Sequence, residues 1–133
     1  MSTWSDVRRI ALSLPEVSEG TSFGNVSWAV KKKTFAWERP LRRSDLEALG
    51  KTAPKGAILG LRTADLDMKD LMLASDPKVY FTTPHFHGYP AVLVRLGAIS
   101  TKQLKGALVD AWLARAPARL AEAYLATAKR NKP

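Results

Sequence analysis

The chain has 133 residues, of which 46% are hydrophobic and 25% are charged, which is the size and composition of one globular domain with a single core. It contains no cysteine, and this excludes disulfide bonds, thiolate metal sites and a cysteine nucleophile. The first residues have neither the basic start nor the apolar run of a signal peptide, and no apolar stretch approaches membrane-spanning length. We therefore expect a cytoplasmic protein that makes no membrane contact.

The formal net charge of +9 is unevenly distributed along the chain. Residues 1–30 carry a net charge of −1 and residues 56–101 are neutral, whereas residues 31–55 and residues 102–133 each carry +5. Dispersed charge would be enough for solubility, so this clustering favours a polyanionic partner.

The first predicted element is a helix. Thr3 and Asp6 have the spacing of a capping box at its start, and Pro15 is expected to end it. The segment that follows contains Gly20 and Gly24 and is predicted to be a loop.

A period of two then predicts two antiparallel strands. Trp28 and Val30 alternate with smaller residues, as do Phe35 and Trp37, and the lysines at 31–33 lie between the two runs as a hairpin turn. Aromatic residues at this period usually pack beneath helices, so we expect both tryptophans to be core residues. The alternative is a base-stacking platform on an open sheet face.

The rest of the chain predicts an α+β fold. Ser44 and Glu47 resemble a second capping box, for a short helix that ends at Gly50. The later predicted elements are a strand at 57–62, a helix from Asp65 to about Ser75, strands at 79–81 and 92–96, a helix capped by Ser100, and a last helix after Pro117. We expect a two-layer sandwich in which N- and C-terminal helices back an antiparallel sheet of about five strands. The single domain is expected to cover residues 1–120, followed by the end of the last helix and a basic tail at 121–133.

The basic residues are the strongest candidates for binding. They fall on the predicted hairpin, the connector after it and the helix that follows Ser100: Lys31, Lys32, Lys33, Arg39, Arg42, Arg43, Lys102 and Lys105. A solvated surface is the simpler interpretation of one charge run, but two blocks of equal charge favour nucleic acid. The tail basics, Lys129, Arg130 and Lys132, are expected to matter less, because chain ends fray.

The histidine loop is a weaker candidate. His85 and His87 flank Phe86, but a transition-metal site needs three or four protein ligands, and the chain has no third histidine. We predict no metal and no cofactor. The same loop, with Tyr89 and Arg95, could instead border a small-molecule pocket. No serine–histidine–acid or paired-carboxylate arrangement is apparent, so we expect no enzyme.

Residues 79–96 carry a familiar pattern, Val-Tyr-Phe-Thr-Thr-Pro-His-Phe-His-Gly-Tyr-Pro-Ala-Val-Leu-Val-Arg-Leu. Together with Leu14-Pro15-Glu16 and Asp110-Ala111-Trp112, it resembles the MmcQ/YjbR family over about residues 4–120. The resemblance implies a fold like that of bacterial frataxin (CyaY) and a DNA-binding role through two wing-like projections. It supplies no catalytic residues.

The sequence therefore predicts a non-enzymatic DNA-binding module with weak sequence preference, which contacts phosphates mainly through the basic hairpin and connector. The alternative is a protein-interaction or regulatory module whose basic face binds an acidic partner.

Overall fold

One antiparallel sheet organises the structure, a computed structural model that describes residues 2–130. Within that range the chain forms α1 (Trp4–Ser13), β1 (Val17–Ser22), β2 (Asn25–Val30), β3 (Lys33–Glu38), α2 (Arg43–Leu49), β4 (Ile58–Arg62), α3 (Leu66–Ser75), β5 (Tyr80–Phe81), β6 (Ala91–Arg95), α4 (Thr101–Arg115) and α5 (Ala118–Arg130). The strand order is β1-β2-β3-β4-β6-β5. The predicted α+β class is confirmed, with six strands rather than about five.

The predicted capping boxes have different outcomes. At α1, the Thr3 N–H donates to the Asp6 carboxylate at 2.9 Å and the Asp6 N–H donates to Thr3 Oγ1 at 3.3 Å, so this box is confirmed. At α2, the prediction that Ser44 and Glu47 form the box is wrong. The capping carboxylate is Asp45, which accepts the Arg42 N–H at 2.8 Å. The predicted end of α2 is confirmed by Gly50, which has a φ of 56°.

Strand β1 occupies the segment that the sequence predicts to be a loop. Its six residues, Val-Ser-Glu-Gly-Thr-Ser, include few strong β-formers and are mostly exposed. β1 is an edge strand, and its complete antiparallel register with β2, from the pair Val17–Val30 to the pair Ser22–Asn25, supplies the order that its own sequence lacks.

Two apolar clusters lie on opposite faces of the sheet. On β4, Leu59 and Leu61 belong to the larger cluster beneath α1 and α4, whereas Ile58 belongs to a smaller cluster with Phe81 and Phe86. Alternate residues of a strand point to opposite faces of the sheet, so the two clusters lie on different faces. We call the face that packs against α1 and α4 the inner face, and the face that carries the smaller cluster the outer face.

A β-bulge between β2 and β3 places Trp37 on the outer face. Trp28 pairs with Ala36 and Ala29 pairs with Thr34, so Phe35 is an extra residue in β3. One extra residue reverses the face on which later side chains lie. Trp28 and Phe35 are buried in the inner cluster, which confirms Trp28 as a core residue. The expectation that Trp37 shares that core is wrong.

The C-terminal helices complete the inner layer. The Trp112 ring on α4 and the Tyr124 ring on α5 have centroids 5.0 Å apart. Of the predicted basic tail, the structure describes the backbone of Lys129 and Arg130 at the end of α5, but their side chains and all of Lys132 lie outside the described residues.

Candidate nucleic-acid interface

A cleft of about 740 Å³ follows β3 along the outer face of the sheet. We call it the outer-face cleft. It brings together residues from six parts of the chain: Ser22, Phe23 and Asn25; Lys32, Lys33 and Thr34; Trp37, Glu38, Arg39 and Arg42; Arg62; His85, Phe86, His87, Gly88 and Tyr89; and Arg115. The two hairpin turns of the β1–β3 meander border it, and the loop before β6 forms a wall.

Trp37 forms the apolar floor of the cleft. Its partner across the β3–β4 ladder is Gly60, and a Cβ atom built at Gly60 would lie only 2.3 Å from Trp37 Cε2. Only glycine therefore leaves room for the indole ring at this position. Phe86, with its ring centroid 6.5 Å from that of Trp37, packs against the ring from the loop wall.

The lining is strongly cationic. It contains six lysine and arginine side chains and one carboxylate, that of Glu38. Among the residues that the structure describes, five of the six cations form no ion pair with an acidic group: Lys32, Lys33, Arg42, Arg62 and Arg115. Within residues 2–130, Arg62 and Arg115 also each keep a buried Nε without a hydrogen-bond partner. The cleft therefore presents positive charge that the protein itself leaves uncompensated.

Arg39 supports the cleft instead of projecting from it. Its side chain is 7% exposed and its Nη2 lies 3.0 Å from Oδ2 of Asp45, which is 2% exposed. Its guanidinium carbon also lies 5.2 Å from the centroid of the Phe86 ring. The expectation that Arg39 reaches a partner from an exposed connector is wrong, because the residue is buried and already paired.

The Arg39–Asp45 pair also changes the pKa of the Asp45 carboxyl group. Burial alone would raise the pKa of Asp45, but the Arg42 N–H bond and the charge of Arg39 outweigh it and lower the pKa below its ordinary value of 3.8. The carboxylate is therefore held in its charged form, and it connects α2 to Arg39, which directly follows β3.

Lys69 anchors the loop wall from behind. This buried lysine of α3 donates from Nζ to the carbonyl oxygens of Phe86 at 2.6 Å and Tyr89 at 2.8 Å. Burial lowers its pKa, and the charge of Asp70 opposes that shift. At the other side of the loop, Arg62 Nη1 donates to Tyr89 Oη at 3.2 Å, and the guanidinium stacks over that ring.

The structure unites some of the predicted site residues and separates others. Lys32, Lys33 and Arg42 line the outer-face cleft together with His85, His87 and Tyr89. Arg39 also borders the cleft, as a buried and paired residue. The remaining predicted residues do not line it. Lys31 faces Glu16 at 3.5 Å, and Arg43 faces Glu47 on the surface of α2. Arg95 stacks over Phe81, and Lys102 and Lys105 lie on the first turns of α4.

Sequence reasoning missed Phe23, Arg62 and the outward position of Trp37, and it counted Arg115 only as part of the basic block at residues 102–133. Arg62 and Arg115 come from distant segments, and no local pattern connects them. Phe23 had a usable signal, since Phe-Gly between two strand-like runs predicts a turn with an aromatic ring at its tip.

Residues 2–130 contain neither a metal-ligand cluster nor a membrane-spanning helix. Among residues 2–130, no group of three or more histidine, aspartate or glutamate side chains is placed to share a metal ion. None of the helices in that range is both long and apolar enough to cross a lipid bilayer.

The fold and the cleft define a small α+β protein with a basic outer sheet face, and comparison with known proteins identifies its family. The YjbR family model matches residues 12–114, and the chain belongs to the YjbR family. Uncharacterized protein Rv2570 of Mycobacterium tuberculosis and uncharacterized protein Mb2600 of Mycobacterium bovis are each 49% identical over 129 residues, which is 95% of this chain and 98% of theirs. The predicted MmcQ/YjbR resemblance is confirmed.

A solved structure supports the fold. The crystal structure of Deinococcus radiodurans protein DR2400, which contains a DUF419 domain, superimposes with a TM-score of 0.63 over 85% of this chain and 78% of that one. The two sequences are 19% identical, so the similarity concerns the fold alone.

Proposed function

We propose that this protein is a non-enzymatic DNA-binding module that holds phosphates in the outer-face cleft. The observation that carries the proposal is the set of five lysine and arginine side chains that line one cleft without an acidic partner among the described residues. Cations that a protein leaves unpaired on one surface stabilise a bound polyanion by releasing its condensed counterions.

The residues around these cations favour an extended anion over a compact apolar ligand. The volume of about 740 Å³ lies within the range of small-molecule pockets, but such pockets are lined mainly by apolar groups with a few polar ones. Here cationic and neutral polar side chains outnumber the aromatic rings. The cations also come from the β2–β3 hairpin, the connector, β4 and the end of α4, which suits a chain of phosphates better than a single anionic group.

The test is a DNA titration at several salt concentrations. If the five unpaired cations each neutralise one phosphate, the logarithm of the binding constant should fall against the logarithm of the salt concentration with a slope of about −3.5 for a single strand and about −4.5 for a duplex. Binding weaker than about 100 µM for both forms of DNA at low salt would overturn the proposal, since non-specific DNA binding is ordinarily at least this strong.

A matched pair of double variants locates the site. Lys32→Gln with Lys33→Gln removes two charges from the cleft, whereas Lys102→Gln with Lys105→Gln removes two charges from the start of α4. We expect the first variant to make the salt slope shallower by about 1.4 to 1.8 and the second to leave it nearly unchanged. Equal losses would mean that the positive field is diffuse and that the cleft is not the site.

A competition experiment separates DNA from an acidic protein as the partner. Bound DNA should be displaced by unlabelled DNA and by heparin, because backbone contacts do not discriminate among polyanions. If DNA fails to bind but an acidic protein is retained in a salt-sensitive complex, the module is a protein-interaction domain instead.

A further inference from the structure

We infer that the outer-face cleft binds single-stranded nucleic acid in preference to a duplex, with unpaired bases stacked on its aromatic side chains. The inference rests on the proposed function and adds the form of the ligand. Phosphate binding alone does not need aromatic side chains, yet several of them line the cleft.

Three aromatic rings are accessible in the cleft. Phe23 is 94% exposed, Tyr89 is 44% exposed, and Trp37 is partly exposed above Gly60. All three line the same cleft as the unpaired cations. Grooves for single strands combine these two features, since the backbone follows the positive charge and the bases stack on aromatic faces.

A duplex could not use these rings. Its base faces are already stacked on one another inside the helix, so a bound duplex would offer the cleft only phosphates, sugars and base edges. The contribution of the three aromatic rings would therefore be specific to unpaired bases.

The backbone at Phe23 gives independent support. Phe23 and Gly24 form the two-residue turn between β1 and β2, with φ values of 52° and 80°. Bulky residues such as phenylalanine are rarely found in this left-handed region, and Asn-Gly would form the same turn without strain. The fold thus holds an apolar ring almost wholly in water by means of an unfavourable backbone conformation, and strain of this kind concentrates at binding sites.

The experiment compares one unstructured DNA strand of about 10 nucleotides, a length that single-strand grooves cover, with the same strand annealed to its complement. Each stacked base strengthens single-strand binding roughly five- to a hundred-fold, so we expect the strand to bind at least about tenfold tighter than the duplex. Equal or tighter binding of the duplex would overturn this inference and leave the proposed function standing. Failure of both forms to bind would overturn both.

A single substitution makes the test independent of folding. Phe23→Asn removes the exposed ring and relieves the turn, because asparagine tolerates the left-handed conformation. We expect the melting temperature to stay the same or rise, while the affinity for the single strand falls at least about fivefold and the affinity for the duplex does not change.

The control substitution is Leu71→Asn on α3, which removes another exposed apolar side chain at a position outside the cleft. It should leave the affinity for the strand unchanged. If Phe23→Asn binds the single strand as well as the wild type does, the Phe23 ring does not contact the bases. If it lowers the melting temperature by several degrees, Phe23 is a structural residue. Either result would overturn the inference.

Discussion

The two faces of the sheet use tryptophan in different ways. On the inner face, Trp28 is 1% exposed, stacks on Trp4 at a centroid distance of 6.4 Å and donates its indole N–H to Glu19 at 3.0 Å. On the outer face, Trp37 lies partly exposed above Gly60 and borders the cationic cleft. The bulge at Phe35 shifts the alternation along β3, so Trp37 lies on the face of the sheet opposite to Trp28. Trp28 therefore has a structural role, and Trp37 has a proposed binding role.

The largest expected difference between the two faces is in stability. Trp28→Ala should lower the free energy of unfolding by about 3–5 kcal/mol, because it empties a fully enclosed site. Trp37→Ala should cost less, roughly 2 kcal/mol, because its ring is only partly removed from water. Urea denaturation of both variants measures this difference. Equal costs would show that the outer face is as well packed as the inner one.

The buried ion pair behind the cleft should have the next largest effect. Asp45→Asn leaves the buried guanidinium of Arg39 without a counter-charge and should lower the free energy of unfolding by about 3 kcal/mol at neutral pH.

This effect should depend on pH in a defined direction. Because the folded state lowers the pKa of Asp45, its contribution is fully present above the unfolded value, near 3.8, and is lost as the pH falls through the lower folded value. The wild type should therefore lose more stability than the variant when the pH is lowered below about 4. Parallel acid unfolding curves would contradict the assignment.

A smaller effect is expected where the two central strands meet beneath the cleft. In Gly60→Ala the new methyl group would overlap the Trp37 ring, so the indole must move and the free energy of unfolding should fall by about 1–3 kcal/mol. DNA affinity should fall with it. Gly97→Ala is the control, since a Cβ there meets no atom within 4 Å. Unchanged DNA binding by a folded Gly60→Ala variant would mean that the position of Trp37 does not matter.

The smallest effect concerns two neighbouring lysines at the tip of the β2–β3 hairpin. Lys31 and Lys32 share the turn and have φ values of 48° and 70°, but only Lys32 lines the cleft. Lys32→Gln should make the salt slope of DNA binding shallower by about 0.7 to 0.9, whereas Lys31→Gln should leave it nearly unchanged. Melting temperatures should not distinguish the two variants. A larger change from Lys31 would place the bound DNA on the other side of the hairpin.

The sequence predicts the features that depend on neighbouring residues, and it does not predict those that depend on pairing between distant segments. Most elements follow local rules, such as the Asp65 side chain that caps α3 by accepting the Met68 N–H and the Ser100 side chain that caps α4 by accepting the Gln103 N–H. β1 could not be predicted in this way, because its strand conformation depends on pairing with β2.

The site was harder to predict than the fold. The hairpin lysines were identified from their charge, but Arg62 and Arg115 join them only through the tertiary fold. The alternation along β3 predicts that Phe35 and Trp37 lie on the same face of the sheet. The bulge instead places Trp37 on the opposite face. Charge counts also could not separate Arg39, whose charge is balanced by Asp45, from Arg42, which lines the cleft with no acidic partner in the described part of the chain.

Binding of DNA in the outer-face cleft can be followed by the four tryptophan indole N–H resonances in an NMR titration with single-stranded DNA. Trp28 and Trp112 donate their indole N–H groups within the fold, to Glu19 and to the carbonyl oxygen of Pro15, whereas Trp37 borders the cleft. We expect the Trp37 indole signal to shift most, together with the backbone amides of Lys32 and Tyr89. If the largest shifts fall at Lys102 and Lys105 and the Trp37 signal does not move, DNA binds at the start of α4 and not in the outer-face cleft.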